Sequence, residues 1–288
     1  MSLQLSEIVF GGSFSSSAQL VAETFWSRTL KSFETQHDYP AAFPKGKSVI
    51  MMGGMYSAGT TWAFNVLRNI CVLQDKPVFS AYTQSMKPKL LEHFQNHDVL
   101  LFKGHILGKS FQNLIRKTPA TLIVPVRDPR DAICSLMNRF NYSFSHALHA
   151  VSTSAENILN VQTKLPHLIL RYEAGFTKDL EGVYQIARYV GFNLTSDEAF
   201  AVFESMKPER VKELIRSLQE KRTINANRPR VSVDPKTNWH PNHVGDLKIG
   251  NHKNQFTGEQ LDIVNSRLAD FIAHFGYDTQ ENATKRAV

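Results

Sequence analysis

One stretch restricts the fold of this chain more than any other: Ser48-Val-Ile-Met-Met-Gly-Gly-Met-Tyr-Ser-Ala-Gly-Thr-Thr-Trp62. Val49 to Met52 is a short apolar run, which reads as a buried strand ended by Gly53 and Gly54. Ala63 to Cys71 carries Phe64, Leu67, Ile70 and Cys71 at helical spacing, so a helix is expected there. Between them, Ser57 to Thr61 is a loop of small and hydroxyl residues. A strand, a small-residue loop and a helix start leave backbone N–H groups and the positive end of the helix dipole facing the loop, which is an anion site. Thr60 and Thr61 add hydroxyl donors. An ordinary strand–helix turn with an N-cap fits the same residues, so the rest of the chain has to decide between the two. The loop is not a standard nucleotide P-loop, because Gly-x-x-x-x-Gly-Lys-Ser/Thr is absent.

The rest of the chain repeats the strand–helix alternation. Strands are expected at Val99–Phe102, Ala120–Arg127 and His167–Tyr172, and helices at 107–116, 132–140, 146–161, 178–190, 196–206, 208–220 and 258–275. Residues 73 to 97 read as loop and short helix. This alternation predicts an α/β fold with a central parallel sheet and helices on both faces. With 288 residues, 42% of them apolar, one substantial core is expected. The whole of 1–288 therefore reads as a single domain. It carries an N-terminal extension over 1–45, with a helix near 18–33, and a long polar stretch at 221–256 that is expected to fold back as a lid.

Charge and cysteine content narrow the class. The net charge of +7 suits an anionic ligand. No Lys/Arg block or basic–aromatic ladder is present, so nucleic acid is not an expected partner. Cys71 and Cys134 fall on apolar helix faces and read as reduced core thiols, with no metal site. No apolar run spans a bilayer, and Met1 to Phe10 lacks a secretory pattern, so no membrane partner and a cytoplasmic location are expected. The sequence does not fix the oligomeric state; a homodimer is compatible with it. One further pair of residues points to phosphate. Arg127 ends a strand, and Ser135 lies one to two helical turns onward. A guanidinium fork and a hydroxyl so spaced can converge on one phosphate.

The loop Ala58-Gly-Thr-Thr-Trp62 resembles the phosphosulfate-binding loop of the soluble, small-molecule sulfotransferases. These use PAPS, adenosine 3′-phosphate 5′-phosphosulfate, and release PAP, adenosine 3′,5′-bisphosphate. The family loop reads Pro-Lys-Ser-Gly-Thr-Thr-Trp; here Tyr56 stands for the Pro, Ser57 for the Lys and Ala58 for the Ser. Arg127 and Ser135, within Val126-Arg-Asp-Pro-Arg-Asp-Ala132, resemble the family's 3′-phosphate motif. Lys103-Gly-His105 resembles the Lys-Thr-His after the second strand, whose His is the general base. A base is needed because the acceptor loses a proton as it attacks sulfur, and a His with a pKa of about 6.5 suits that task.

The resemblance implies a P-loop-related fold and PAPS as co-substrate. Ser57, Ala58, Gly59, Thr60, Thr61 and Trp62 would form the donor loop, and Lys103 would face the transferring group. Tyr172 is similar to the family's nucleotide-touching Tyr. Phe203 is similar to the aromatic that flanks adenine, and with Trp62 it would sandwich the base. The family's Arg-Lys-Gly triplet is missing, and Lys248 is the expected substitute. The implied reaction is sulfuryl transfer to a hydroxyl or amine of a small-molecule acceptor. Two alternatives stay open: a PAP- or PAPS-binding protein with degenerate catalysis, for which Ser57 in place of Lys is the best support, and a nucleotide-dependent kinase.

Overall fold

A computed structural model describes residues 43–162, 164–225, 233–245 and 248–277. The sequence expectation for a helix near 18–33 lies outside these residues. Five strands form one sheet: β1 (Ser48–Gly53), β2 (Val78–Tyr82), β3 (Val99–Gly104), β4 (Thr121–Val126) and β5 (Leu168–Arg171). Every neighbouring pair is parallel, in the order β2-β3-β1-β4-β5. The helices are α1 (Thr60–Leu73), α2 (Lys109–Lys117), α3 (Pro129–Phe140), α4 (Phe144–Gln162), α5 (Leu180–Tyr189), α6 (Ser196–Ser205), α7 (Pro208–Glu220), α8 (His252–Gln255), α9 (Gly258–Arg267) and α10 (Ala269–Phe275).

Alternation along the strands builds two cores, one on each face of the sheet. Val49 and Met51 of β1 join a core with Phe111 of α2, Ile133 of α3, Val151 of α4 and Phe271 of α10. Ile50 and Met52 join the other, with Phe64 of α1, Val183 of α5, Val202 of α6 and Val211 of α7. Both cysteines are buried free thiols. No helix among the described residues is long and apolar enough to cross a membrane.

The structure departs from the sequence expectation in two places. Residues 73–97 hold β2 and a 3-10 helix, Pro88–Gln95, so the sheet has a strand that the apolar pattern did not signal. β2 is an edge strand paired to β3 alone. None of its residues is fully buried, so it needs no continuous apolar run. The expected single helix at 258–275 is α9 followed by α10, because the backbone at Leu268 leaves the helical region at φ −117° and ψ 18°.

The charged turn after β4 is mostly scaffold. Asp128 caps α3 by accepting from the Arg130 N–H at 2.9 Å. It also pairs with the Arg130 guanidinium at 2.8 Å, where the two side chains are 9% and 2% exposed. That guanidinium donates to the Tyr277 carbonyl as well. Asp131 accepts from the N–H groups of Gly250 and His252 and from His252 Nδ1. These bonds tie the C-terminal segment to the start of α3. Replacing Arg130 with Ala leaves the Asp128 charge buried without its cation. A loss of roughly 3–5 kcal/mol is expected, read as a lower urea midpoint in equilibrium unfolding.

Candidate functional site

The strand order sets where a ligand can sit. Connections from β1 run to β2 and β3 on one side and to β4 and β5 on the other. In such sheets the crevice opens at the carboxyl ends of the strands, at that reversal. A cavity of about 440 Å³ occupies it. All five strand ends contribute to its lining: Tyr82 of β2, Lys103 of β3, the loop after β1, and Arg127 and Tyr172 just past β4 and β5.

The β1–α1 loop has the geometry of an anion cradle. Ser57 and Gly59 both have positive φ, 58° and 77°, which turns successive N–H groups to one side. Gly59 sits at the α1 N-cap, and no side chain caps the helix there. The first-turn N–H groups of α1 therefore lack the usual side-chain partner. Gly54 allows the loop to press on β4. A Cβ there would meet the Pro125 carbonyl oxygen at 2.9 Å, the same atom that accepts from the Met55 N–H. The Thr60 hydroxyl donates to the Met55 carbonyl at 3.1 Å, which shapes the loop. Thr61 lines the cavity. Ser57 Oγ is buried, with no hydrogen-bond partner among the described residues.

Three cations face this cavity, Lys103, Arg127 and Arg139, and no Asp or Glu lines it among the described residues. Arg127 is 5% exposed. It donates to the carbonyls of Ser57 (3.2 Å) and Lys248 (2.5 Å) and lies over the Tyr172 ring at 4.4 Å. Burial, and then the nearby Arg139 charge, push the Lys103 ammonium down to about 7. Burial, then Arg127, push Arg139 down to about 10. His105 stacks on Tyr56, with ring centroids 4.0 Å apart. Its Nδ1 lies 2.9 Å from the Gly54 carbonyl. A carbonyl only accepts, so Nδ1 carries the proton and Nε2 keeps its lone pair. Burial, and then Lys103, push His105 down to about 3, so the imidazole is neutral at ordinary pH.

Most of the residues expected from sequence come together here: Ser57, Gly59, Thr60, Thr61, Trp62, Lys103, His105, Arg127, Ser135 and Tyr172 all line the cavity. Ala58 is fully buried beneath the loop. Phe203 does not reach the lining; on α6 it packs at the edge of the second core. Lys248 meets Arg127 through its backbone carbonyl, and the residue is exposed.

The sequence reasoning missed Arg139, Trp239, His240 and His243, which also line the cavity. Arg139 was legible as the residue one helical turn after Ser135, on the same face. The others come from the polar stretch at 221–256, whose described residues 233–245 contribute seven lining positions, including Val233, Asn238 and Gly245. The Trp-His-x-x-His cluster at Trp239–His243, in an otherwise polar loop, was the available signal.

No family model matches this chain, and no curated protein matches its sequence. Its structure is similar to that of mouse sulfotransferase SULT7A1 complexed with PAP. The TM-score is 0.61 at 15% identity, over 90% of this chain and 92% of that one. It is also similar to retinol dehydratase in complex with androsterone and inactive cofactor PAP, with a TM-score of 0.57 at 14% identity, over 80% of this chain and 82% of that one. A further match is retinol dehydratase in a complex with retinol and PAP, with a TM-score of 0.58 at 14% identity, over 86% of both chains. The chain thus has the sulfotransferase fold.

The Lys103 ammonium generates a pH prediction. Its pKa is lowered from 10.5 to about 7, so between those values the folded chain binds fewer protons than the unfolded one, and ligand-free stability rises with pH. An anion requires the charged form and reverses the preference. The groups facing Lys103 are Arg139, His105, His240 and His243. Sulfate, whose charge is constant across the range, is expected to raise the melting temperature more at pH about 6 than at about 9. Lys103→Met is expected to flatten that difference.

Proposed function

We propose that the chain is a PAPS-dependent sulfotransferase acting on a small molecule, with transfer to a hydroxyl or amine. The observation that carries this is the convergence of the uncapped α1 N-terminus with Lys103, Arg127 and Arg139 on one cavity whose described lining holds no carboxylate, in a sulfotransferase fold. PAPS supplies the sulfuryl group. The residues present fit such a polyanion: the loop N–H groups and Thr61 suit the phosphosulfate, and Arg127 with Ser135 suits the 3′-phosphate.

The chain's part is positioning and charge neutralisation. His105 accepts the acceptor's proton at Nε2, with its tautomer held by the Gly54 carbonyl. In the ligand-free chain the imidazole is a weak base because of burial first, and then because Lys103 and Arg139 stand beside it. Donor anions offset the cation part of that shift and so move its pKa upward. Lys103 takes the place of the missing loop lysine in neutralising charge on the leaving phosphate. Residues 233–245 act as a lid that excludes water. The protein would release PAP, the nucleotide with which the neighbours were crystallised. Ser57 in the position of a cation, with its hydroxyl buried and unpartnered, favours one second reading: a chain that binds PAP without turning over.

Three outcomes are expected. PAP at 100 times its dissociation constant should add about 2.7 kcal/mol of stability; a melt in which ATP shifts the transition and PAP does not refutes the assignment and favours a kinase. Arg127→Ala should weaken PAP by roughly 1.5–3 kcal/mol and adenosine 5′-phosphosulfate, which lacks the 3′-phosphate, much less. In single-turnover transfer from PAPS, His105→Ala should cut the rate by about 10²–10⁴ with PAP binding retained. Transfer to no acceptor by the wild type, with transfer restored in Ser57→Lys, would establish the binding-only alternative.

A further inference from the structure

A cation stands in the cavity that neither the phosphosulfate nor the 3′-phosphate assignment uses. Arg139 lies one helical turn beyond Ser135 on α3. Its Nε donates to the Asn242 carbonyl at 2.8 Å, and its Nη2 lies 3.4 Å from His240 Nε2. Among the described residues no carboxylate pairs with it and Nη1 has no hydrogen-bond partner. Beside it, His240 is 9% exposed, with its ring centroid 4.2 Å from that of His243. Nδ1 of each imidazole is buried, with no partner among the described residues.

A half-buried guanidinium with open donor capacity, next to two imidazoles whose Nδ1 atoms are buried and unpaired among the described residues, is costly in an apolar setting unless a ligand completes it. The walls around the cluster are apolar and aromatic: Phe140 lies 5.2 Å under the Arg139 guanidinium, its centroid 5.0 Å from that of His240, and Trp239 packs edge-on to His243. An oxyanion placed there would take the planar fork of Arg139 in bidentate fashion. Burial, and then Arg139, hold His240 down to about 3 in the ligand-free chain. The Arg139 guanidinium only donates, so His240 Nε2 accepts from it and His240 Nδ1 carries a proton to offer.

We propose that the acceptor is itself an acid: a small molecule with an apolar or aromatic body, one hydroxyl or amine that receives the sulfuryl group, and a separate carboxylate held by Arg139 together with His240 and His243. This rests on the sulfotransferase function proposed above and specifies the substrate class of that site.

The test uses the full chain saturated with PAP and, by calorimetry, three probes that share one phenol: 4-hydroxyphenylacetate, its methyl ester, and tyramine. The acid is expected to bind at least about tenfold more tightly than the ester, the worth of one charge-assisted contact, and the amine most weakly. Arg139→Gln is expected to bring the acid-to-ester ratio close to one, and Arg139→Lys to keep part of it. His240→Gln, which leaves the bond from Arg139 to the Asn242 carbonyl in place, is expected to lower the ratio as well. If Arg139 only fastened the lid, Arg139→Gln would weaken all three probes together and leave their ratio unchanged. Such a result, an ester or amine that binds as well as the acid, or no binding by any of the three, overturns the proposal. The PAP titration that precedes each run separates the two levels. Failure of PAP to bind refutes the donor assignment, whereas PAP binding without acid preference refutes only the acceptor class.

Discussion

Uncompensated positive charge at the end of the sheet is the constraint on which this structure turns. Lys103, Arg127 and Arg139 share one cavity with the bare N-terminus of α1. Like charges drawn together away from water repel and lose hydration. The lowered pKa values of Lys103 and Arg139 record that cost. The arrangement persists because two cores, one on each face of a five-stranded sheet, hold the strand ends in register. A polyanion relieves the strain, so binding and stability are coupled here by charge.

The hydrogen bonds of the Arg127-Asp-Pro-Arg-Asp131 turn show how one short segment divides its work. Arg127 faces the cavity. Asp128 and Arg130 neutralise each other underneath, and Asp131 holds the main chain of Gly250 and His252. Through that tie the carbonyl of Lys248 arrives at Arg127. Three of the four charges in the motif therefore position the fourth. A motif can look uniformly functional in sequence while most of its charges serve the fold.

The neutral state of His105 has the same origin as the charge of its neighbours. Burial and Lys103 suppress its protonation, and the Gly54 carbonyl fixes which nitrogen is bare. That carbonyl belongs to the glycine that lets the β1–α1 loop press on β4. The loop that faces the anion thus also orients the imidazole. A change of shape in one is felt by the other without any long-range pathway.

The sequence by itself determined the strand–loop–helix at Ser48–Trp62 and the parallel α/β class, because each of these is local. Apolar periodicity and small-residue turns are written in consecutive positions. It could not show β2, whose pairing to β3 alone asks for no apolar run. It also put Phe203 beside the base and assigned Lys248 as a replacement cation. The packing of α6 keeps Phe203 out of the cavity lining, and Lys248 meets Arg127 by its main chain. The gathering of Arg139 with His240 and His243 was decided only by tertiary structure. Those residues lie about a hundred positions apart, and they meet because residues 233–245 close over the end of α3, where burial converts ordinary side chains into a charged and unsatisfied site.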